Sequence, residues 1–244
     1  MSIKTLSFKW LCSVSMVFLS LLGSSNARAG GGFFDFNFYP YLSDVDTDSA
    51  FTLNIAKKLP KRFSYFSLTN VYSTTGDDYL SDSLLYYTEQ NLRWQVADDS
   101  PFDLTLQMNF RSGSKNNRHR LGVRWRLNNT PALAPFFKSL NLSYSINLHA
   151  IQFDHEDATV WQMEHVLMMK FPSISNRLYL AAFLDHTFNQ NLPSGMPKNP
   201  IVAEMQLGVR LVDSLYFISE FRLNQYRRSD VNNLAIGLQY KKAW

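Results

Sequence analysis

Arg118, Arg120, Arg124 and Arg126 share one parity of a single stretch, and Arg111 closes the stretch before it. A guanidinium offers five donors and no acceptor and stays charged, so such a set can hold carboxylates, phosphates or other acceptor-rich groups by forked hydrogen bonds. Polar and acidic residues recur with the same alternation: Glu89 with Arg93, Asn109 with Arg111, Glu164, Glu204 with Arg210, and Glu220 with Arg222. These groups can pair and brace the fold, or bind a polar solute. Around 111–126 the arginines outnumber the nearby acids. Some positive potential is therefore expected to survive there.

Other chemistry is thinly supplied. Ser112 and Ser114 face His119 across one turn, which is the material for a serine–histidine pair. The His-x-Ser motif of outer-membrane phospholipase A, a twelve-stranded barrel, is missing, because Phe110 stands two positions before Ser112 and Ser112 two before Ser114. His149, Asp154, His155, Glu156, Asp157 and His165 gather around another turn and could hold a divalent ion, although charged tips of solvated loops look the same. Asp185 and His186 have that bland reading too. The one cysteine, Cys12, lies in a predicted leader. No catalytic residue, metal ligand or cofactor is assigned.

The positions of these groups follow from strict alternation. Phe102, Leu104, Leu106, Met108 and Phe110 interleave with Asp103, Thr105, Gln107, Asn109 and Arg111. His119, Leu121, Val123, Trp125 and Leu127 likewise interleave with Arg118, Arg120, Gly122, Arg124 and Arg126. Period two puts one set on each face of a strand. A closed antiparallel barrel, apolar outside and polar inside, accounts for both faces at once. Twelve strands are predicted, at 33–42, 50–57, 63–73, 84–96, 102–111, 118–127, 140–151, 158–171, 177–188, 200–211, 214–226 and 232–242. Most have about the 9 to 11 residues that a tilted strand needs to cross a bilayer.

With both termini periplasmic, connections should alternate between long extracellular and short periplasmic. They mostly do. The stretch 128–139, with Pro131 and Pro135, is too long for its place, and a ten-stranded barrel is the alternative count. The opposite set of each strand then lines the lumen: Glu89, Asn91 and Arg93; Gln107, Asn109 and Arg111; Arg120, Arg124 and Arg126; Asn141, Ser143, Ser145, Asn147 and His149; Gln162 and Glu164; Glu204, Gln206 and Arg210; Glu220, Arg222 and Asn224. Trp94, Trp125, Trp161, Tyr72, Tyr86 and Tyr240 lie near strand ends and suit interfacial girdles. The last strand alternates and ends on Trp244, as the assembly signal of bacterial barrels does, with Lys242 departing from it.

Lys4 and Lys9, the apolar run 10–22 and Ala27-Arg28-Ala29 have the layout of a secretory signal over residues 1–29, which leaves 30–244 as one barrel. The run is too short to span a bilayer as a helix. Lys4, Lys9 and Arg28 leave with it and no acid does, so the 24 basic residues fall to 21 against 20 acids. Near-neutrality and the lack of a like-charge block argue against a nucleic-acid partner.

Thr159-Val160-Trp161-Gln162-Met163-Glu164, the segment from Leu178 to Thr187 with Phe183-Leu184-Asp185-His186, Val202-Ala203-Glu204-Met205-Gln206-Leu207, and Leu215-Tyr216-Phe217-Ile218-Ser219-Glu220-Phe221-Arg222 with Asn224-Gln225-Tyr226 resemble the Tsx-like nucleoside-specific channel family. The resemblance implies a monomeric twelve-stranded outer-membrane barrel with a narrow lumen that binds nucleosides. No binding residue of that family can be carried over by motif. The expected partners are outer-membrane lipid, the barrel-assembly machinery and a small polar solute. The expected function is passive, selective passage; a non-conducting structural or adhesion barrel is the rival, and a lipid-modifying enzyme a lesser one.

Overall fold

The computed structural model describes residues 31–39, 42, 47–74, 85–113, 117–153 and 159–244. The predicted leader, 1–29, lies outside these residues. So do the predicted loop positions 43–46, 75–83, 114–116 and 154–157, the last being Asp154, His155, Glu156 and Asp157 of the suggested metal-binding turn, and the predicted strand positions 40, 41, 84 and 158.

Twelve strands follow in order: β1 (Gly32–Phe38), β2 (Thr47–Lys58), β3 (Phe63–Thr74), β4 (Leu85–Gln95), β5 (Phe102–Arg111), β6 (Arg118–Arg126), β7 (Leu142–Gln152), β8 (Trp161–Lys170), β9 (Leu178–Phe188), β10 (Ile201–Val212), β11 (Leu215–Asn224) and β12 (Asn232–Ala243). Each pairs antiparallel with its sequence neighbours, and β1 pairs with β12 to close the barrel. At this seam Gly32 and Trp244 exchange backbone hydrogen bonds of 2.9 and 3.0 Å. Closure leaves no unpaired edge.

The ten-strand alternative is excluded by the connection after β6. Its Leu127–Asn129 forms one 3-10 turn and its Ala134–Ser139 a short helix, α1, with proline in the first turn, where the missing N–H costs nothing. Trp125 Nε1 donates to Thr130 Oγ1 at 2.8 Å, and Phe137 is buried against Tyr144. The long connection is a cap over the ends of β6 and β7. Asn141 lies in the turn before β7 and not on the inner face, a correction to the lumen set.

The interior inverts that of a water-soluble protein. Buried side chains among the described residues are mostly polar, and the buried apolar ones are Tyr39, Phe137, Val160, Tyr179, Ile218 and Ala235. Leu104, Val123, Leu148, Leu207, Phe221 and Leu238 are exposed on the outside. Such an exterior suits a hydrocarbon solvent. Aromatic pairs mark both ends. Phe63–Trp94, Phe102–Trp125 and Phe34–Trp244 lie at the end holding the chain terminus, and Trp161 stacks on Phe188 at 3.8 Å at the other. Tyr72 departs from the girdle expectation. It lines the lumen and accepts a hydrogen bond from Asn70.

Between β6 and β7 the register steps from Leu121↔Ile151 to Val123↔Leu148, so β7 carries one extra residue. A Cβ on Gly122 would sit 2.1 Å from the Leu148 carbonyl oxygen, and only glycine allows the bulged strand to approach this closely. The bulge keeps both Leu148 and Ile151 outside and turns Gln152 inward. Simple alternation from Asn147 and His149 would have placed Ile151 inside.

The outer faces of β3 and β4 carry Ser67, Thr69, Thr88 and Gln90, and these satisfy one another. Gln90 Nε2 donates to Ser67 Oγ at 3.1 Å and to Thr88 Oγ1 at 2.6 Å, Thr69 and Thr88 hydroxyls lie 2.9 Å apart, and the Tyr65 hydroxyl donates to Gln90. A wall facing hydrocarbon tolerates polar groups when they are internally paired.

Candidate functional site: the barrel lumen

The barrel encloses a cavity of about 1220 Å³. Its lining divides into a braced sector on β9–β12 and β1–β3, which carries Asp35, Lys241, Glu220 and the Glu204–Arg222 pair, and a sector on β4–β9 that holds most of the arginines.

Hydrogen bonds crossing between non-adjacent strands brace the first sector. The Tyr179 hydroxyl on β9, with its one proton, lies 2.6 Å from Gln239 Oε1 on β12 and 2.9 Å from Gln206 Oε1, while Gln206 reaches Asn37 on β1 at 3.3 Å. Asn37 and Asn54 both donate to Asp35 at 2.8 Å. The Tyr179 ring lies over Gly208, whose Cβ would fall 2.0 Å from it, so glycine makes room for the ring. Beyond Phe38 the chain turns Tyr39 inward over Gly237, and its hydroxyl meets Thr52 Oγ1 at 2.6 Å. Glu204 and Arg222 form an ion pair here. Glu220 accepts from Gln206 at 3.4 Å.

In the second sector Arg124 and Arg126 share Asp103, at 2.5 and 3.2 Å. That pairing lowers the positive excess expected from the arginine count, because Asp103 faces inward between them. Arg93 lies over Phe66 and Arg111 over Tyr87, with guanidinium carbons 5.7 and 5.2 Å from the ring centres. Arg120 donates from Nε to Gln152 Oε1 and from Nη1 to Gln107 Oε1, both at 2.8 Å. Among the described residues no carboxylate lies within ion-pair distance of Arg93, Arg111 or Arg120. These three guanidinium charges are therefore available to the cavity.

Carboxylates gather on the same sector. Glu89 accepts from Asn91 at 2.7 Å and from the Tyr87 hydroxyl at 3.0 Å. Glu164 accepts from Asn147, with His149 Nε2 3.8 Å away. Asp185 pairs in register with Glu164 and accepts from Gln162. Above them Tyr226, outside the strands, bonds to Thr187, and burial pushes its phenol pKa up.

Of the residues singled out from sequence, Glu89, Arg93, Asn109, Arg111, Arg120, Arg124, Glu164, Glu204, Glu220 and Arg222 line this cavity. Arg126 stays at the rim on Asp103, and Arg210 sits at the β10 bulge beside Val212, away from the cavity lining. Asp185, read as a loop-tip charge, lies in the lumen, and the sequence reading singles out neither Tyr87, Gln152 and Tyr179 nor the pairing role of Asp103. The serine and histidine candidates separate: Ser112 Oγ accepts the Tyr86 N–H at 2.8 Å, and His119 packs edge-on against Phe110. Ser114 is outside the described residues. The histidines of the suggested metal site separate too, because His149 is buried in the lumen while His165 bonds Tyr144 on the outer face.

The sequence matches no family model and no curated protein. Solved structures resemble it in fold. A KdgM porin superposes with a TM-score of 0.50 at 14% identity, covering 86% of this chain and 98% of its own, and a NanC porin with 0.51 at 13% identity and the same coverages. At such identities the likeness shows the porin-like barrel fold. These neighbours are KdgM and NanC porins, not Tsx channels.

Proposed function

We propose that the chain is an outer-membrane channel for passive, selective passage of small polar solutes, exported by a leader over residues 1–29 and folded with both termini in the periplasm. The observation carrying this reading is the cavity of about 1220 Å³ lined by Arg93, Arg111 and Arg120, with which no described carboxylate forms an ion pair. A purely structural barrel would gain nothing from leaving them unpaired. A twelve-stranded barrel falls between side-chain-filled eight-stranded barrels and water-filled sixteen-stranded ones, which suits a narrow, selective passage. The porin-like fold and apolar exterior agree with an outer-membrane setting. The protein works as a monomer, with membrane lipid around it and the assembly machinery acting on the strand that ends at Trp244.

The resemblance to Tsx-like channels makes nucleosides the finer candidate, and the rings of Tyr87 and Tyr226 beside amide donors would suit a base. The rival is a closed structural barrel, favoured by the cross-strand bracing of Tyr179, Gln206 and Asn37. Swelling of protein-loaded liposomes in iso-osmolar ribose and uridine separates them. Entry of both above the empty-liposome rate supports a channel, with uridine ahead if nucleosides are its cargo. No entry above that rate supports the closed barrel.

A further inference from the structure

Arg120 on β6 and Asp185 on β9 both line the cavity, three strands apart, and act on one another electrostatically, yet no ion pair joins them. Each is held by neutral amides instead. The oxygens of Gln107 and Gln152 fix the Arg120 guanidinium through Nη1 and Nε, and Arg120 lines the cavity. Gln162 donates to the Asp185 carboxylate, and Asp185 Oδ1 has no partner. Amide partners orient a charge without cancelling it. Both groups therefore have a fixed direction, as a preorganised site requires.

Beside them Asn109 is 3% exposed and lines the cavity, and its Oδ1 also lacks a partner. Glu89 and Glu164 strengthen the negative side near Asp185, and Arg111 strengthens the positive side near Arg120. A simple anion would gain from one side and be repelled by the other, and a simple cation likewise. A neutral solute would use neither charge.

Resting on the channel reading above, we propose that this lumen binds a zwitterionic solute, with its anionic group on Arg120 and its cationic group on the neighbouring carboxylates of Asp185 and Glu164. Net neutrality lets such a solute enter without a large electrostatic barrier, while its two ends find opposite charges already oriented. No bond is made or broken. The chemistry is recognition alone.

The test uses liposomes carrying the full barrel, with serine and γ-aminobutyrate as zwitterions of short and long charge separation and erythritol as the neutral probe. The faster zwitterion should swell the liposomes about fivefold faster than erythritol, as expected for partly screened charge contacts. Arg120→Gln and Asp185→Asn should each bring that ratio near one, and Arg120→Lys should retain part of it. Heat-modifiable migration checks that each variant is folded, and Asp185→Asn, being isosteric, keeps the test open should Arg120→Gln fail to assemble. A wild-type ratio near one, a ratio that survives either neutralising variant, or loss with Arg120→Gln alone overturns the proposal. If erythritol enters and the zwitterions do not lead it, the channel reading stands and this inference falls. If no solute enters, both fall.

Discussion

Replacing Arg120 with glutamine removes a lumen charge that forms no ion pair with a described carboxylate and keeps a side chain able to bond Gln107 or Gln152. An ion passing about 5 Å from that charge in water feels roughly 0.8 kcal/mol. Loss of the charge raises the barrier for an anion and lowers it for a cation, so the unscreened anion-to-cation ratio changes by about 1.6 kcal/mol. At 0.1 M salt, with a Debye length near 10 Å, screening reduces this to about 1 kcal/mol, or about fivefold. At 1 M the Debye length is near 3 Å and the change falls to about twofold or less. Reversal potentials under a salt gradient across a planar bilayer measure the ratio. Asp185→Asn should move it in the opposite direction. An Arg120→Gln channel with unchanged selectivity at 0.1 M, or with an equal shift at both salt concentrations, would refute the placement of an unscreened charge in the conduction path.

Gly122→Ala should block or slow assembly, because its Cβ would meet the Leu148 carbonyl oxygen at 2.1 Å; folded, heat-modifiable protein at wild-type yield would contradict the bulge. Tyr179→Phe removes the hydroxyl between Gln206 and Gln239 and should lower the unfolding free energy in detergent by about 2 kcal/mol, read from denaturant titration. Deleting Trp244 removes the backbone pair with Gly32 and the ring beside Phe34, and should slow assembly as followed by heat-modifiable migration in a time course. Exported protein is expected to begin at Gly30 and to sediment with outer membrane, which N-terminal sequencing of fractionated cells checks.

The barrel was legible in sequence because in β5 and β6 every second residue is polar or glycine and the rest are largely apolar, a pattern that a closed wall between water and hydrocarbon requires. Where alternation failed, the cause was local. The extra residue in β7 shifts parity after His149, and its one signal is Gly122 standing among arginines in an inner set, since an isolated strand glycine marks a bulge or a close backbone approach. That shift brings Gln152 to Arg120, so the amide cradle could not be read without it. The sharing of Asp103 by Arg124 and Arg126 follows from the pairing of neighbouring strands and was within reach of the sequence. The Tyr179–Gln239 and Gln206–Asn37 bonds join strands that are not neighbours, and period-two reasoning carries no information about them. Asp185 was mistaken for a solvated tip because its strand ends soon after it, whereas its register partner Glu164 places it inside.

Single-channel recording of the purified protein in a planar bilayer tests the central claim most directly. The channel reading predicts discrete, long-lived conductance steps, small for a porin because the braced sector narrows the lumen, and an anion-to-cation ratio lowered by Arg120→Gln. Correctly folded barrel that inserts into the bilayer and passes no current would contradict it, and would make the cross-lumen bracing the purpose of the interior.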